Sequence, residues 1–231
     1  MIFYKLYLLI GLLEVMLEFL EVPSGVFVVK PMLMPLLALA FWQENTPKHP
    51  FKLVLFAALV FSWIGDVVLL FQLDSPFCFI LGLCAFLTAH LLYIWAMSPG
   101  LEFSADNRLR RIVTFVAVLV LTILLVFYFE KEGNRAYSGI VRFAVPLYSL
   151  VLALMVLAAA HQGSGGERHS ILLFSGALFF MFSDLLIALG AFSNALAFLS
   201  TSITSGIIMA TYILSQFLII RGMMAHHDRI S

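Results

Sequence analysis

The chain has 231 residues, 63% hydrophobic and 11% charged, with a formal net charge of zero. A soluble domain carries about 25% charged residues, so a fold of this length cannot hide so much apolar side chain from water, and the bilayer must serve as its solvent. Balanced charge, with basic residues scattered between segments, argues against a nucleic-acid partner held by phosphate neutralisation.

Apolar stretches of about 17–25 residues are the unit of a membrane-spanning helix. Eight are predicted, at 3–20, 26–42, 51–71, 77–97, 112–129, 143–160, 170–190 and 200–220. The first carries Glu14 and Glu18, and no small-x-small cleavage site follows it, so it is expected to be retained rather than removed as a signal peptide. VPSG at 22–25 separates it from the second, where Lys30 is followed by Pro31. Polar runs at 43–50, 72–76, 98–111, 130–135 and 161–169, and a weaker break around Ser193 and Asn194, divide the others. Short loops make consecutive helices antiparallel neighbours. The expected fold is all-α, a polytopic membrane protein whose eight transmembrane helices form one bundle, a single integral-membrane domain over 1–231.

Orientation follows lysine and arginine. With eight crossings, the termini and even-numbered loops share the side that holds Lys5, Lys48, Lys52, Arg108, Arg110, Arg111, Arg168, Arg221 and Arg229; the other holds Lys131, Arg135 and Arg142. Both termini are therefore expected in the cytoplasm.

Within this greasy sequence, FSWIGDVVLL at 61–70 places Asp66 near the end of the third span, and FMFSDLLIAL at 180–189 places Asp184 near the end of the seventh. Both spans run away from the cytoplasm, and helical rise puts each carboxylate about 7–9 Å below the same membrane face. A small residue precedes each (Gly65, Ser183), and the spans lie four helices apart, which suggests a 4+4 pseudo-repeat. An acid in a spanning helix costs a few kcal/mol and normally faces the bundle interior. A lone aspartate is as readily helix glue as a functional group; two at matched depth favour a shared site.

Helical spacing extends the pattern. Ala58, Ser62 and Asp66 share a stripe on span three; Phe79, Gly82, Phe86, His90 and Tyr93 on span four; Ser202, Ser205, Met209, Tyr212 and Gln216 on span eight. Lys30 is either an interfacial lysine snorkelling to headgroups or a cation that pairs with a carboxylate or binds a phosphate. Glu14 and Glu18 are rival acids. His90 is the intramembrane histidine; helical rise sets it about 10 Å deeper than the aspartates, as a structural hydrogen-bonder or pocket floor. Cys78 and Cys84 point to different faces at about 100° per residue and read as buried apolar-type cysteines. No metal site is expected, and no P-loop, dinucleotide fingerprint, GxSxG or HExxH is present.

Lys30-Pro31, FSWIGDVVLL, the stripe from Phe79 to Tyr93, PLYSLVLALM at 146–155, GALFFMFSDLLIAL at 176–189 and YILSQFLI at 212–219 occur in order. Together they resemble the YhhN family of membrane proteins, whose characterised members are lysoplasmalogenases. The resemblance covers spans two to eight and takes nothing from the first. It implies an eight-helix membrane fold and hydrolysis of the vinyl ether of lysoplasmalogen, an alkenyl glycerophosphocholine or glycerophosphoethanolamine, to a fatty aldehyde and a glycerophospho-alcohol. It maps the family's paired intramembrane aspartates onto Asp66 and Asp184.

The chemistry agrees with that assignment. Vinyl ethers are hydrolysed by protonating the β-carbon and capturing the oxocarbenium ion with water. That needs one carboxylic acid and one carboxylate, much as in glycoside hydrolysis. Two adjacent acids in a dry bundle cannot both ionise cheaply. No cofactor is required. Both carboxyl groups are expected in a single pocket, with Lys30, Ser62, His90, Tyr93, Tyr148, Asn194, Tyr212 and Gln216 as substrate-binding candidates. The partners expected are a lysophospholipid within the bilayer and membrane lipids. The location expected is the cell membrane in a bacterium or the endoplasmic reticulum in a eukaryote. A small proton-coupled transporter, or a structural membrane protein with packing aspartates, are the readings from other classes.

Overall fold

A computed structural model describes residues 2–44, 50–72, 75–101, 108–132, 139, 141–162 and 167–230. The polar breaks at 45–49, 73–74, 102–107, 133–138 and 163–166, with Lys48, His49 and Arg135, lie outside the described residues, as do the side chains of Arg110, His226, His227 and Arg229. Among the described residues eight α-helices follow one another: α1 Ile2–Phe19, α2 Pro23–Trp42, α3 Pro50–Leu69, α4 Pro76–Met97, α5 Arg108–Glu132, α6 Val141–Ala160, α7 Arg168–Phe192 and α8 Thr201–Ile230. No strand occurs among the described residues. Proline opens α2 and α4 at a position whose N–H would be unbonded anyway, and the Ser75 hydroxyl caps the second of these by accepting from the Phe77 amide.

Helices α2 to α8, seven in all, are long and apolar enough to cross a membrane. α1 is a helix as expected, but Lys5, Glu14 and Glu18 put three charges into its 18 residues and set it apart from the others. It nonetheless lies lengthwise and antiparallel along α8. Phe19 packs at Gly206, Gly11 at Ile213, the Tyr7 hydroxyl donates to the Ile213 carbonyl at 2.9 Å, and Tyr4 sits edge-on to Phe217 and beneath the Arg221 guanidinium. α8 continues to Ile230, past the apolar run that ends at 220.

Sequential helices pack as neighbours in the pairs α1–α2, α2–α3, α3–α4, α5–α6, α6–α7 and α7–α8, and α4–α6 and α1–α8 join the ends into one bundle. The tightest pairings, α3–α4 and α7–α8, depend on missing side chains. Phe86 of α4 fills the space a Cβ would take at Gly65, beside Asp66; a Cβ at Gly176 would meet the Ile219 backbone nitrogen of α8 at 3.0 Å. α2 is joined to α3 differently. Pro35 has no N–H for the Pro31 carbonyl one turn back, and the Trp63 indole of α3 supplies one at 2.9 Å. This bond fixes α2 next to Lys30 against the helix that carries Asp66.

α5 is the exception. Its main contacts are with α6, and it makes no comparable packing against α4 or α7. The gap it leaves is a cavity of about 220 Å³.

Replacing Gly176 with valine should cost roughly 1–3 kcal/mol by overpacking the α7–α8 contact. Gly190→Ala, where the nearest atom lies 4.0 Å from an added Cβ, should be close to neutral. Thermal unfolding of both variants in detergent checks the difference.

Candidate active site

Asp66 and Asp184 are both buried, and each carboxylate is held by a tyrosine from another helix. The Tyr212 hydroxyl donates to Asp66 Oδ2 at 2.8 Å, and the Tyr148 hydroxyl donates to Asp184 Oδ2 at 2.6 Å. The two acids lie within electrostatic range of each other. Their positions along the helices are not alike: α3 ends at Leu69, just past Asp66, whereas α7 runs on to Phe192. By helical rise Asp66 is about 4.5 Å and Asp184 about 12 Å from the end of its own helix. Apolar run length, which gave nearly equal depth, misses this because α3 stops two residues before its run of 51–71 ends and α7 continues two residues past its run of 170–190.

Aromatic rings occupy the ground between the acids. Phe180 stands edge-on to Tyr212 at 5.5 Å and to His90 at 4.5 Å, and Phe86 packs against both Phe180 and Tyr212. The expectation of one open pocket shared by both acids is corrected accordingly: the 220 Å³ cavity is lined by Asp184 and Tyr148 and not by Asp66. Its walls come from α4, α5, α6 and α7, with Leu69 of α3, and are almost wholly apolar. Leu121, Leu125 and Phe129 of α5 form its outer side. A carboxyl group at the inner end of an apolar slot of this kind suits a ligand with a long chain and one reactive polar point.

His90 also departs from its expected place. Rather than lying well below the aspartates, it is fully buried with Nε2 3.6 Å from Asp184 Oδ2, and its ring stands edge-on to Tyr148. Helical rise compares depths only where helix ends lie level, and the approach of His90 to Asp184 shows that it does not rank these two residues. Asp184 sits lower in its helix, within reach of the α4 stripe. That stripe, Phe79 to Tyr93, was the signal in the sequence.

The remaining candidates separate into three kinds. Ser62, Tyr93 and Gln216 are buried and satisfy one another: the Tyr93 hydroxyl donates to Gln216 Oε1 at 2.5 Å, and Gln216 Nε2 donates to Ser62 Oγ at 3.1 Å. They form a polar brace between α3, α4 and α8, one turn from Asp66 and Tyr212. Lys30 is half-buried and within electrostatic range of Asp66. The offset that carries Asp66 onto Asp184 also carries Lys30 onto Tyr148, so each acid has a polar neighbour from the preceding helix. Asn194 is exposed in the α7–α8 connection, and no contact brings it to the cluster.

Glu14 of α1 is a buried acid within electrostatic range of Lys30 and Asp66. The paired glutamates of the first span were the hint. Among the described residues, no three His, Cys, Asp or Glu side chains gather to hold a metal ion. Cys78 and Cys84 are free thiols; Cys84 is exposed rather than buried and lines the cavity.

An all-helical bundle with membrane-length apolar helices and a buried acid–tyrosine–histidine cluster at the end of an apolar cavity defines a polytopic membrane protein with an intramembrane polar site. The chain belongs to the YhhN family, which matches residues 26–223. It is 30% identical over 192 residues to the human protein named lysoplasmalogenase TMEM86B, covering 80% of this chain and 70% of that one. It is 30% identical over 175 residues to human lysoplasmalogenase TMEM86A, covering 74% of this chain and 65% of that one. Identity to the Sus scrofa lysoplasmalogenase TMEM86B is 31% over 168 residues, or 70% and 59% of the two chains. No solved structure matches the chain.

Gln216→Leu would remove the amide that both the Tyr93 hydroxyl and Ser62 bond in a dry interior. The expected loss is about 1–3 kcal/mol of stability, read as a lowered unfolding temperature in detergent.

Proposed function

We propose that the protein is a lysoplasmalogenase: it hydrolyses the vinyl ether of a lysoplasmalogen to a fatty aldehyde and a glycerophospho-alcohol. The observation that carries this reading is the placement of Asp184, braced by Tyr148 and beside His90, on an apolar cavity with room for part of an alkenyl chain. Family membership and relatives named lysoplasmalogenase support the substrate class.

The chemistry divides between the acids. Two carboxyl groups that sense each other in a low-dielectric interior do not both ionise cheaply, so one of them keeps its proton. Asp66 has Lys30 within electrostatic range and does not line the cavity. Asp184 faces the cavity, so it delivers its proton to the β-carbon of the vinyl ether, and the resulting oxocarbenium ion lies in the field of Asp66. Water then adds to the ether carbon while its proton passes to the Asp184 carboxylate. The hemiacetal collapses by breaking the bond to the glycerol oxygen, which takes up a proton as the aldehyde forms. One water is consumed and the acid pair is restored, with no cofactor involved. Tyr148 orients Asp184, with His90 close beside it, and Tyr212 orients Asp66. The Ser62–Tyr93–Gln216 brace holds α8 in register so that Tyr212 reaches Asp66.

In this reading α1 is the eighth crossing, since it runs along α8 for most of that helix's apolar length. Both termini then face the cytoplasm, and the acids lie in the opposite half of the bundle. The corresponding places of Lys30 and Tyr148 beside their aspartates favour the 4+4 pseudo-repeat. The half containing α5 departs from it, because α5 stands away from α4 where α1 packs on α8.

Asp66→Asn and Asp184→Asn should each reduce aldehyde release from alkenyl lysophospholipid by at least about 100-fold, the scale of a lost general acid or base, with unfolding temperatures retained. Near-wild-type turnover in either would remove that residue from the reaction. Activity should also persist after dialysis against a chelator; loss that added zinc restores would replace this mechanism with a metal-dependent one.

A further inference from the structure

His90 of α4 has no exposed surface, and neither of its ring nitrogens has a hydrogen-bond partner. A buried polar group left unpaired is costly, and native proteins seldom keep one without a use. The ring is caged edge-on by Phe180 at 4.5 Å and by Tyr148 at 5.5 Å. Its Nε2 lies 3.6 Å from Asp184 Oδ2, the oxygen that accepts from the Tyr148 hydroxyl at 2.6 Å. A closed hydrogen bond to nitrogen spans about 2.7–3.2 Å, and contacts of this kind are often long until substrate is bound. His90 does not line the cavity, so whatever it does for a ligand there it does through Asp184.

A neutral imidazole carries one N–H and one bare nitrogen, and its surroundings decide which is which. The Phe86 carbonyl acts on the ring from one turn back on α4, and a carbonyl only accepts. The N–H therefore belongs on Nδ1, the nitrogen nearer the backbone, and Nε2 turns a lone pair towards Asp184. Facing an ionised carboxylate, that lone pair would meet a second acceptor. A protonated Oδ2 resolves the conflict, because a carboxyl O–H accepts from Tyr148 and donates to His90 at once.

We infer that His90 is a positioning residue for the acid: its bare Nε2 accepts the carboxyl proton of Asp184 in the resting protein and gives it up when substrate enters the cavity. Release takes a rotation of the O–H about the carboxyl C–O bond, away from Nε2. The vinyl π pair then forms the new C–H bond, and the O–H pair stays on Asp184 as a carboxylate that Tyr148 still bonds. The proton lost by the added water restores the acid and its contact with His90. The reaction is that of the hydrolase reading, but where the resting proton sits does not depend on turnover.

Nitrogen-15 NMR of the histidine-labelled full chain in detergent reads the tautomer, with the His90 signals assigned by their loss in His90→Gln. The wild type should show a bare Nε2 and a protonated Nδ1. In infrared spectra, the carbonyl stretch that Asp184→Asn removes should be that of a carboxylic acid, and His90→Leu should move it to higher wavenumber, as for an acid freed from its acceptor. For aldehyde release, His90→Leu should lower kcat about tenfold, the scale of one hydrogen bond in a dry interior, with KM changed less than about twofold. His90→Gln, whose amide oxygen can accept in place of Nε2, should recover most of that loss.

A proton on Nε2, an Asp184 stretch that ignores His90→Leu, or equal losses in the leucine and glutamine variants overturns the inference. The nitrogen spectrum is taken on the wild-type chain, so it decides the point even if His90→Leu does not fold. The expected tautomer and stretch without any aldehyde leave the acid–imidazole pair standing and remove the hydrolase; aldehyde with a proton on Nε2 does the reverse.

Discussion

Placing carboxyl groups where water cannot solvate them is the constraint that organises this bundle. An acid in a spanning helix is tolerated only when it faces inward and finds donors, and here each buried aspartate finds one on another helix. Tyr212 ties α8 to α3 through Asp66, and Tyr148 ties α6 to α7 through Asp184. For those hydroxyls to arrive, the backbones must approach closely, which Gly65 and Gly176 allow, and α8 must hold its register, which the Tyr93–Gln216–Ser62 brace secures. Helix packing and the chemistry of the site thus answer to the same polar groups.

The second organising feature is the position of α5. Helices α1 to α4 and α6 to α8 close around aromatic and aliphatic side chains, while α5 leans on α6 and leaves an apolar cavity that reaches Asp184. Lipid tails are as apolar as the side chains on α5, so no hydrophobic force draws that helix inward. The gap therefore costs little to keep, and it lets a hydrocarbon chain meet a carboxyl group without either leaving its preferred surroundings.

Much of this was legible in the sequence because membrane helices announce themselves by length and apolarity. The eight helices fall where the apolar runs lie, and the two aspartates, Tyr148, Tyr212 and the polar stripes on α3, α4 and α8 could be picked out as interruptions of a hydrophobic pattern. What escaped was vertical register. The end of an apolar run is not the end of a helix, so Asp184 lay deeper than its run suggested and His90, assigned to a lower level, came beside it. Which tyrosine serves which aspartate depends on how helices more than thirty residues apart cross, information that spacing within one helix does not contain. Asn194 failed for a related reason: a polar residue near the end of a span looks the same in sequence whether it turns inward or sits in the exposed connection. Glu14 was visible as an anomaly, but only the packing of α1 against α2 and α8 shows that it is buried, within electrostatic range of Lys30.

The central claim is that a buried acid hands a proton to the carbon of a lipid vinyl ether. Hydrolysis of alkenyl lysophospholipid in D₂O, with the aldehyde trapped at once by reduction, tests it most directly. The expected product carries one solvent deuterium on the carbon next to the former aldehyde carbon and forms more slowly than in H₂O. An aldehyde without that deuterium, or no aldehyde from the wild-type protein under any conditions that preserve its fold, contradicts the account.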